Sequence, residues 1–270
     1  MKRSSFSHAL YLLWTAVFAG TGFVVFSHRG IPEKNPQNSQ EKNGITLTPV
    51  TDSPAYPDAA LKQYLPVPFT HLAEGKVKFS YGLKNYHLGM QTGDADHKNC
   101  ANSAKGQHIH LILNNQPYLA KYDTVFEEEL APGHYISLSF LSRSYHESIK
   151  TKTAYVLTQF TVGDTVKDKN TDLSGPLLFY SRPKGEYVGE DTKKILLDFY
   201  LVNTTLSQNG NHVRAVINGA EFILTDWVPY VIGGLPLGEV MILLELTDAK
   251  GNVISGTYNH VIRKIMLKES

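Results

Sequence analysis

Hydrophobic residues in the body of this chain recur at every second position rather than every third or fourth. Runs at 76–84, 107–113, 134–141 and 154–162 are alternating or continuously apolar, and Gly, Asn, Asp and Pro separate them. That period distributes side chains over the two faces of a β-strand. No window of about 12 residues or more carries the helical period, so the pattern predicts an all-β body. In the run 107–113, Ile109, Leu111 and Leu113 share one face, which is the core face, and His108, His110 and Ile112 share the other.

The amino-terminal pattern is different. After Lys2 and Arg3, residues 9–26 run for 18 positions without a charge. As a helix rising about 1.5 Å per residue that stretch is about 27 Å long, enough to cross a hydrocarbon core and longer than the apolar part of most cleaved signals. The expectation is a transmembrane helix over 1–26 that acts as an uncleaved anchor, or else a signal. Basic residues precede the helix, so the bulk of the chain lies on the exported, periplasmic or extracytoplasmic side. Residues 27–57 are polar and hold Pro32, Pro36, Pro49, Pro54 and Pro57, which predicts a flexible, disordered tether.

Self-similarity organises the remainder. Gly106-Gln-His-Ile-His-Leu-Ile-Leu-Asn114 recurs as Gly210-Asn-His-Val-Arg-Ala-Val-Ile-Asn218, an offset of 104. Leu130-Ala-Pro-Gly133 recurs as Leu235-Pro-Leu-Gly238 at 105, and Gly75–Asn85 matches Lys193–Asn203 at 118. Two copies of one domain follow, at 58–163 and 173–268, joined by the polar stretch 164–172. About seven short strands in about 100 residues suggest tandem immunoglobulin-like β-sandwiches, without the Cys-Trp-Cys signature of antibody domains. The equivalent core face of the second copy is Val213, Ala215 and Ile217.

Differences between the copies show where one was elaborated. The change of offset gives the first copy about 14 extra residues in Tyr86–Lys105. Long loops commonly carry function, although a surface insertion is also cheap to close. In a sandwich of this type the insertion lies at the same end as Ser142–Glu147, and His108 begins its strand there. His87, His97, Cys100, His108, His110 and His146 could therefore meet at one apex. The second copy keeps His212, replaces the second histidine with Arg214 and lacks the insertion. Two histidines one residue apart on a strand project from one face and can reach a common ion with a ligand from a loop, and imidazole with thiolate suits copper or zinc. Surface histidines satisfied by hydrogen bonds account for the same pattern. Lys105, Arg143 and Tyr145, from the same loops, are candidate binding residues for a partner.

Composition narrows the function. With 26 basic and 25 acidic residues the net charge is +1, which gives no electrostatic case for nucleic acid. The single cysteine, Cys100, excludes an intrachain disulfide framework. Ser144, His146 and Glu147 lie too near one another in one loop to adopt triad geometry, and no oxyanion hole accompanies Cys100 with His97 or His108. The expectation is a non-catalytic module, tethered through residues 9–26, that binds another envelope protein or membrane complex. The alternative is metal binding or delivery.

The stretches Asn102-Ser-Ala-Lys-Gly-Gln-His-Ile-His-Leu-Ile-Leu-Asn-Asn-Gln-Pro-Tyr118, Leu130-Ala-Pro-Gly-His134 and Phe140-Leu-Ser-Arg-Ser-Tyr-His-Glu147 resemble a family of uncharacterised bacterial cell-envelope proteins, loosely labelled phosphopeptide-binding. Leu178-Phe-Tyr-Ser-Arg-Pro-Lys-Gly185 and Val202-Asn-Thr-Thr205 extend the likeness over most of the body. The His-x-His strand is also similar to small periplasmic sandwich domains of the copper-resistance type. The resemblance implies location and fold rather than activity. His87 and Cys100 are atypical of it, which leaves His108, His110 and His146 as the better ligand candidates.

Overall fold

The computed structural model describes residues 39–98 and 100–269. The anchor expected over 1–26 and the first part of the tether lie outside them. Eighteen strands and two short 3-10 turns make up the regular structure, and no helix among the described residues is long and apolar enough to cross a membrane.

Strands β1 (Gln40–Lys42) and β2 (Ile45–Pro49) precede the first sandwich. That sandwich contains β3 (Ala60–Leu65), β4 (His71–Leu72), β5 (Gly75–Lys84), β6 (His108–Leu113), β7 (Leu119–Lys121), β8 (Val125–Leu130), β9 (Gly133–Ser142) and β10 (Tyr155–Val162). The second contains β11 (Leu177–Arg182), β12 (Gly185–Val188), β13 (Ile195–Val202), β14 (His212–Ile217), β15 (Ala220–Leu224), β16 (Tyr230–Gly233), β17 (Gly238–Thr247) and β18 (His260–Lys268). In the first, β3-β5-β8 faces β4-β10-β9-β6-β7; in the second, β11-β13-β16 faces β12-β18-β17-β14-β15. Strand for strand the topologies coincide, down to a short strand parallel to the last one (β4 with β10, β12 with β18). This is the Greek-key arrangement of an immunoglobulin-like sandwich, present twice in tandem.

The repeat extends to backbone conformation. Asn85 and Asn203, like Asn114 and Asn218, are left-handed at matching places. Asn114 and Asn218 each accept a bond from the backbone N–H of the seventh strand of their own copy, at Ile136 in β9 and Met241 in β17. Asparagine tolerates this conformation because its short amide bonds locally.

Each sandwich encloses its own core. Val77, Phe79, Ile109, Leu111, Leu141, Phe160 and Val162 fill the first, and Leu197, Phe199, Val213, Ala215, Ile217, Ile242 and Leu244 the second. The alternation read from the sequence thus gives the inward face correctly in both copies. A third core was not expected. The outer face of β6, β9 and β10 packs against the outer face of β11 and β13, burying Ile112, Tyr118, Ile136, Leu138, Phe140, Leu177, Phe179, Tyr200 and Val202. Phe140 and Tyr200 stack across this seam with ring centroids 4.7 Å apart. Buried Asp198 accepts from Ser148 Oγ at 3.1 Å and pairs with Lys150, and Asn115 both donates to Leu178 O and accepts from Tyr180 N. The Asn115 amide covers the free edge of β11, which would otherwise expose unpaired backbone groups.

The tether expected over 27–57 requires correction in its second part. Strand β2 pairs antiparallel with β16, so this segment adds an edge strand to the second sandwich. Ile45 and Leu47 alternate with Thr46 and Thr48 and enter its core, while Asn43 and Gly44, both at positive φ, make the tight turn to β1. Asn-Gly favours such a turn, a hairpin signal that the surrounding polar composition obscured. Residues 52–54 then run along the first sandwich, where Asp52 pairs with Lys98 and Pro54 O accepts from Arg143. The second sandwich is therefore not confined to 173–268. The joining stretch 164–172 is also held, since Thr171 exchanges two 2.8 Å hydrogen bonds with Gln159.

Because the seam buries an apolar cluster of its own between the two cores, the body should unfold as one unit. Truncating Phe140→Ala should cost about 3–5 kcal/mol. Urea unfolding followed by both tryptophan emission and far-ultraviolet dichroism checks this: coincident transitions are expected, whereas two resolved steps would show that the sandwiches are coupled only weakly.

Candidate metal centre in the seam

The histidine face of β6 is a face of the seam. Residues 108 and 110 point out of the first sandwich, where sequence alone would leave them in water, but the second sandwich covers that face and both rings are fully buried. His146 arrives from the loop after β9. It is in the left-handed region at φ 68°, within a turn whose amide at His146 donates to Arg143 O and whose amide at Arg143 donates to Glu147 O. Histidine visits this region more often than most residues, and a non-glycine held there marks a site that the surroundings over-determine.

The three rings converge. His108 Nε2 is 2.9 Å from His110 Nε2 and 3.0 Å from His146 Nδ1, and the three candidate ligand atoms lie within 4.8 Å of one another. The other ring nitrogens are engaged from outside. Gly106 O lies 2.8 Å from His108 Nδ1, and because a carbonyl only accepts, the His108 proton is on Nδ1 and its Nε2 presents a lone pair. Ser181 of the second sandwich lies 3.2 Å from His110 Nδ1. One lone pair on His108 thus faces two ring nitrogens. A cation at their common point would partner all three lone pairs, with His110 donating from Nδ1 to Ser181 and His146 carrying its proton on Nε2. Bonds of about 2.0 Å to a tetrahedral ion would set the nitrogens about 3.3 Å apart, a few tenths of an ångström beyond the two separations at His108, and would bring the His110 and His146 nitrogens, which lie within 4.8 Å, to the same spacing.

Aromatic rings wall the site. Tyr118 stacks on His110 at a centroid distance of 3.6 Å, and its hydroxyl is 3.2 Å from His146 Nδ1. Tyr122 lies 5.0 Å from the His108 ring and is fixed by a 2.6 Å bond to Ser103 in the insertion. The insertion also sets the carbonyl that orients His108. At Gly106, φ is 80° and an added Cβ would come within 2.6 Å of Met90 O, so only glycine allows this close passage.

Burial keeps the rings uncharged. Desolvation is the largest cause for each: it lowers His108 from the ordinary 6.5 to about 4, lowers His110 well below 6.5 and takes His146 further down than His108, with help from neighbouring rings and the Arg182 and Lys184 cations. Neutral imidazole is the metal-binding form.

Other sequence candidates are elsewhere. The insertion does pack against the loop after β9, through Thr92 and Ser103 on Ser144, but His87 and His97 are exposed and outside the cluster. The His87 carbonyl accepts from Gln107, a structural role. Cys100 is half-buried and outside the cluster, and desolvation pushes its thiol up to about 11, so it is no thiolate ligand near neutral pH. Of the binding candidates, Lys105 is exposed over the Tyr122 ring. Arg143 and Tyr145 turn inward instead. Arg143 pairs with buried Glu147 at 2.7 Å, and Tyr145 is enclosed beneath the insertion with its hydroxyl toward Asp94. Ser181 and the Gly106 carbonyl carried no sequence signal, since their roles arise from packing of the second sandwich and of the insertion.

No protein-family model matches the chain, and no curated protein matches it in sequence. Among solved structures, it is similar to the fibronectin(III)-like modules of Clostridium thermocellum CbhA, at 11% identity and a TM-score of 0.28, over 77% of this chain and 94% of that one. The central fibronectin-III array of RIM-binding protein is similar at 10% identity and 0.26, over 82% and 71%. Bacteroides ovatus SGBP-B in complex with mixed-linkage heptasaccharide is similar at 13% and 0.23, over 77% and 47%. Such TM-scores carry no argument about function, and neither the phosphopeptide-binding nor the copper-resistance label finds a match.

On acidification the unfolded chain takes up protons on these histidines near 6.5, whereas the folded, metal-free chain does not protonate His108 until about 4. The unfolded state then holds more protons, so stability should fall as pH drops through that window. Urea midpoints for the metal-free chain at about pH 7 and about pH 5 measure the loss; His108→Gln, which removes one of the titrating rings, should flatten the slope.

Proposed function

We propose that this chain is a non-catalytic metal-binding protein in which His108 Nε2, His110 Nε2 and His146 Nδ1 hold one copper or zinc ion between two immunoglobulin-like sandwiches. One observation carries the reading: three imidazoles held neutral by desolvation converge at 2.9 and 3.0 Å, so that the single lone pair of His108 Nε2 faces two ring nitrogens. An all-nitrogen set suits copper or zinc rather than calcium or magnesium, which prefer oxygen. Ser181 and the Gly106 carbonyl would supply the outer bonds that orient ligating rings. A non-catalytic role agrees with the surroundings, because Glu147 is engaged by Arg143 and Ser53 rather than by His146, and Cys100 is a protonated thiol. On this reading residues 9–26 anchor the protein and the body lies on the exported side, where copper and zinc are handled outside the cytoplasm.

Docking on another envelope protein is a second reading, favoured by a different observation. In the second sandwich the face corresponding to the covered histidine face is open, and Ile223, Met241 and Ile262 are exposed on it. Met241→Glu with Ile262→Glu should abolish co-purification of a partner from native membranes while leaving the free energy of unfolding in urea within about 0.5 kcal/mol; retained co-purification would count against this face.

Elemental analysis of the full-length chain tests the metal. After loading with copper or zinc and exhaustive dialysis, about one equivalent should remain. His108→Ala and His110→Ala should lose it, and Ser181→Ala should weaken binding by about 10–100-fold. Retention by the unaltered chain no greater than that of the His108→Ala or His110→Ala variant would end the proposal.

A further inference from the structure

The seam contains more positive charge than its carboxylates offset. Two acidic residues are buried there, Glu147 and Asp198, and each has a basic partner in Arg143 and Lys150. Three further cations come from the second sandwich: Arg182 at the end of β11, Lys184 just after it and Arg263 on β18. Among the described residues none of the three pairs with a carboxylate. Arg182 and Arg263 are only 6% and 8% exposed.

Aromatic rings and uncharged oxygens surround them. The Lys184 ammonium is 3.9 Å from the centroid of Tyr118, the ring whose stacking partner is His110, and it donates to Tyr118 O. Arg263 lies 4.5 Å from the Tyr180 ring and donates to Asn115 O and Ser181 O. The Arg182 guanidinium is 5.7 Å from the Tyr187 ring and 5.9 Å from that of Tyr118, and Nη1 donates to the Tyr187 hydroxyl. Arg182 Nε is enclosed without an acceptor, and so is the Tyr180 hydroxyl. Ring faces and carbonyls solvate cations but cancel no charge, and buried charge without a counter-ion is costly. The strain is visible at Lys184, which burial and then the Arg182 and Arg263 charges lower to about 8.

We propose that Arg182, Lys184 and Arg263 form a binding site for a small oxyanion, a carboxylate or phosphate group, beside Tyr118 at the seam. An oxyanion would supply the missing negative charge and accept from the unpartnered Arg182 N–H, and paired guanidinium and ammonium groups are the usual chemistry for such ligands. Lys184 and His146 are both half-buried, so this end of the seam lies at the margin of solvent.

The test uses the full-length chain in mild detergent with metal removed by chelation, so that failure of the metal centre leaves it readable. Thermal unfolding is followed against inorganic phosphate and, in a second arm, sodium acetate, each against sodium chloride at matched ionic strength. A saturable rise in midpoint is expected with at least one of them, and the arm that responds at lower concentration assigns the group as phosphate or carboxylate. Arg182→Met should raise the half-saturating concentration about tenfold or more, and Lys184→Gln, which replaces a half-buried group and keeps the fold, should do the same. His97→Ala, at an exposed position outside the seam, should leave it unchanged. Midpoints that follow ionic strength alone, or equal responses in the wild-type and Lys184→Gln chains, would overturn the proposal.

Discussion

Sheet-on-sheet packing between the two sandwiches is the constraint on which the rest depends. It puts Phe140 against Tyr200 and Leu138 and Ile136 among Leu177, Phe179 and Val202, on faces that an isolated sandwich would turn to water. Aromatic and branched residues of that size provide most of the favourable free energy available to such a contact. The same contact takes the histidine face of β6 out of solvent, brings Ser181 to His110 and places three cations beside Tyr118. Remove it and His108 and His110 become ordinary surface histidines near their usual 6.5.

Burial decides the chemistry in both directions. For imidazole, loss of water favours the neutral form, so the rings keep their lone pairs. A guanidinium keeps its proton at any ordinary pH, so burial does not discharge the two arginines, and Lys184, although lowered to about 8, keeps most of its charge at neutral pH. Neighbouring parts of one seam therefore ask for opposite things, a cation among the histidines and an anion beside the basic residues. Tyr118 touches both, stacked on His110 and lying under Lys184.

The two copies show how a shared scaffold was divided between roles. The corresponding strand of the second copy has His212 and Arg214 where the first has His108 and His110. Arg214 bonds Glu245, which also accepts from His260, so that face is a solvent-side ion network. In the first copy the insertion Tyr86–Lys105 tightens around the histidines through Gly106, Ser103 and Tyr122, and residues 45–54 tie the approach to the first sandwich onto the second.

Period-two alternation, the repeat offsets and the asparagine and glycine turns were enough to set the two β-sandwiches. Which residues face each core is a local property of a strand, so Ile109, Leu111, Val213 and Ala215 could be placed from spacing alone. The triad was legible in part: His108 and His110 from their strand, and His146 from the sandwich's loop order. Composition misled at 40–49, where an Asn-Gly turn and two alternating apolar residues were hidden in polar sequence. What covers the outer face of a strand is not local, because it depends on which surface of the other copy docks there. Only the tertiary structure decided that the histidine face is interior, that Arg143 and Tyr145 are enclosed, and that Ser181, Arg182 and Lys184 belong to the same neighbourhood as residues 70 positions earlier.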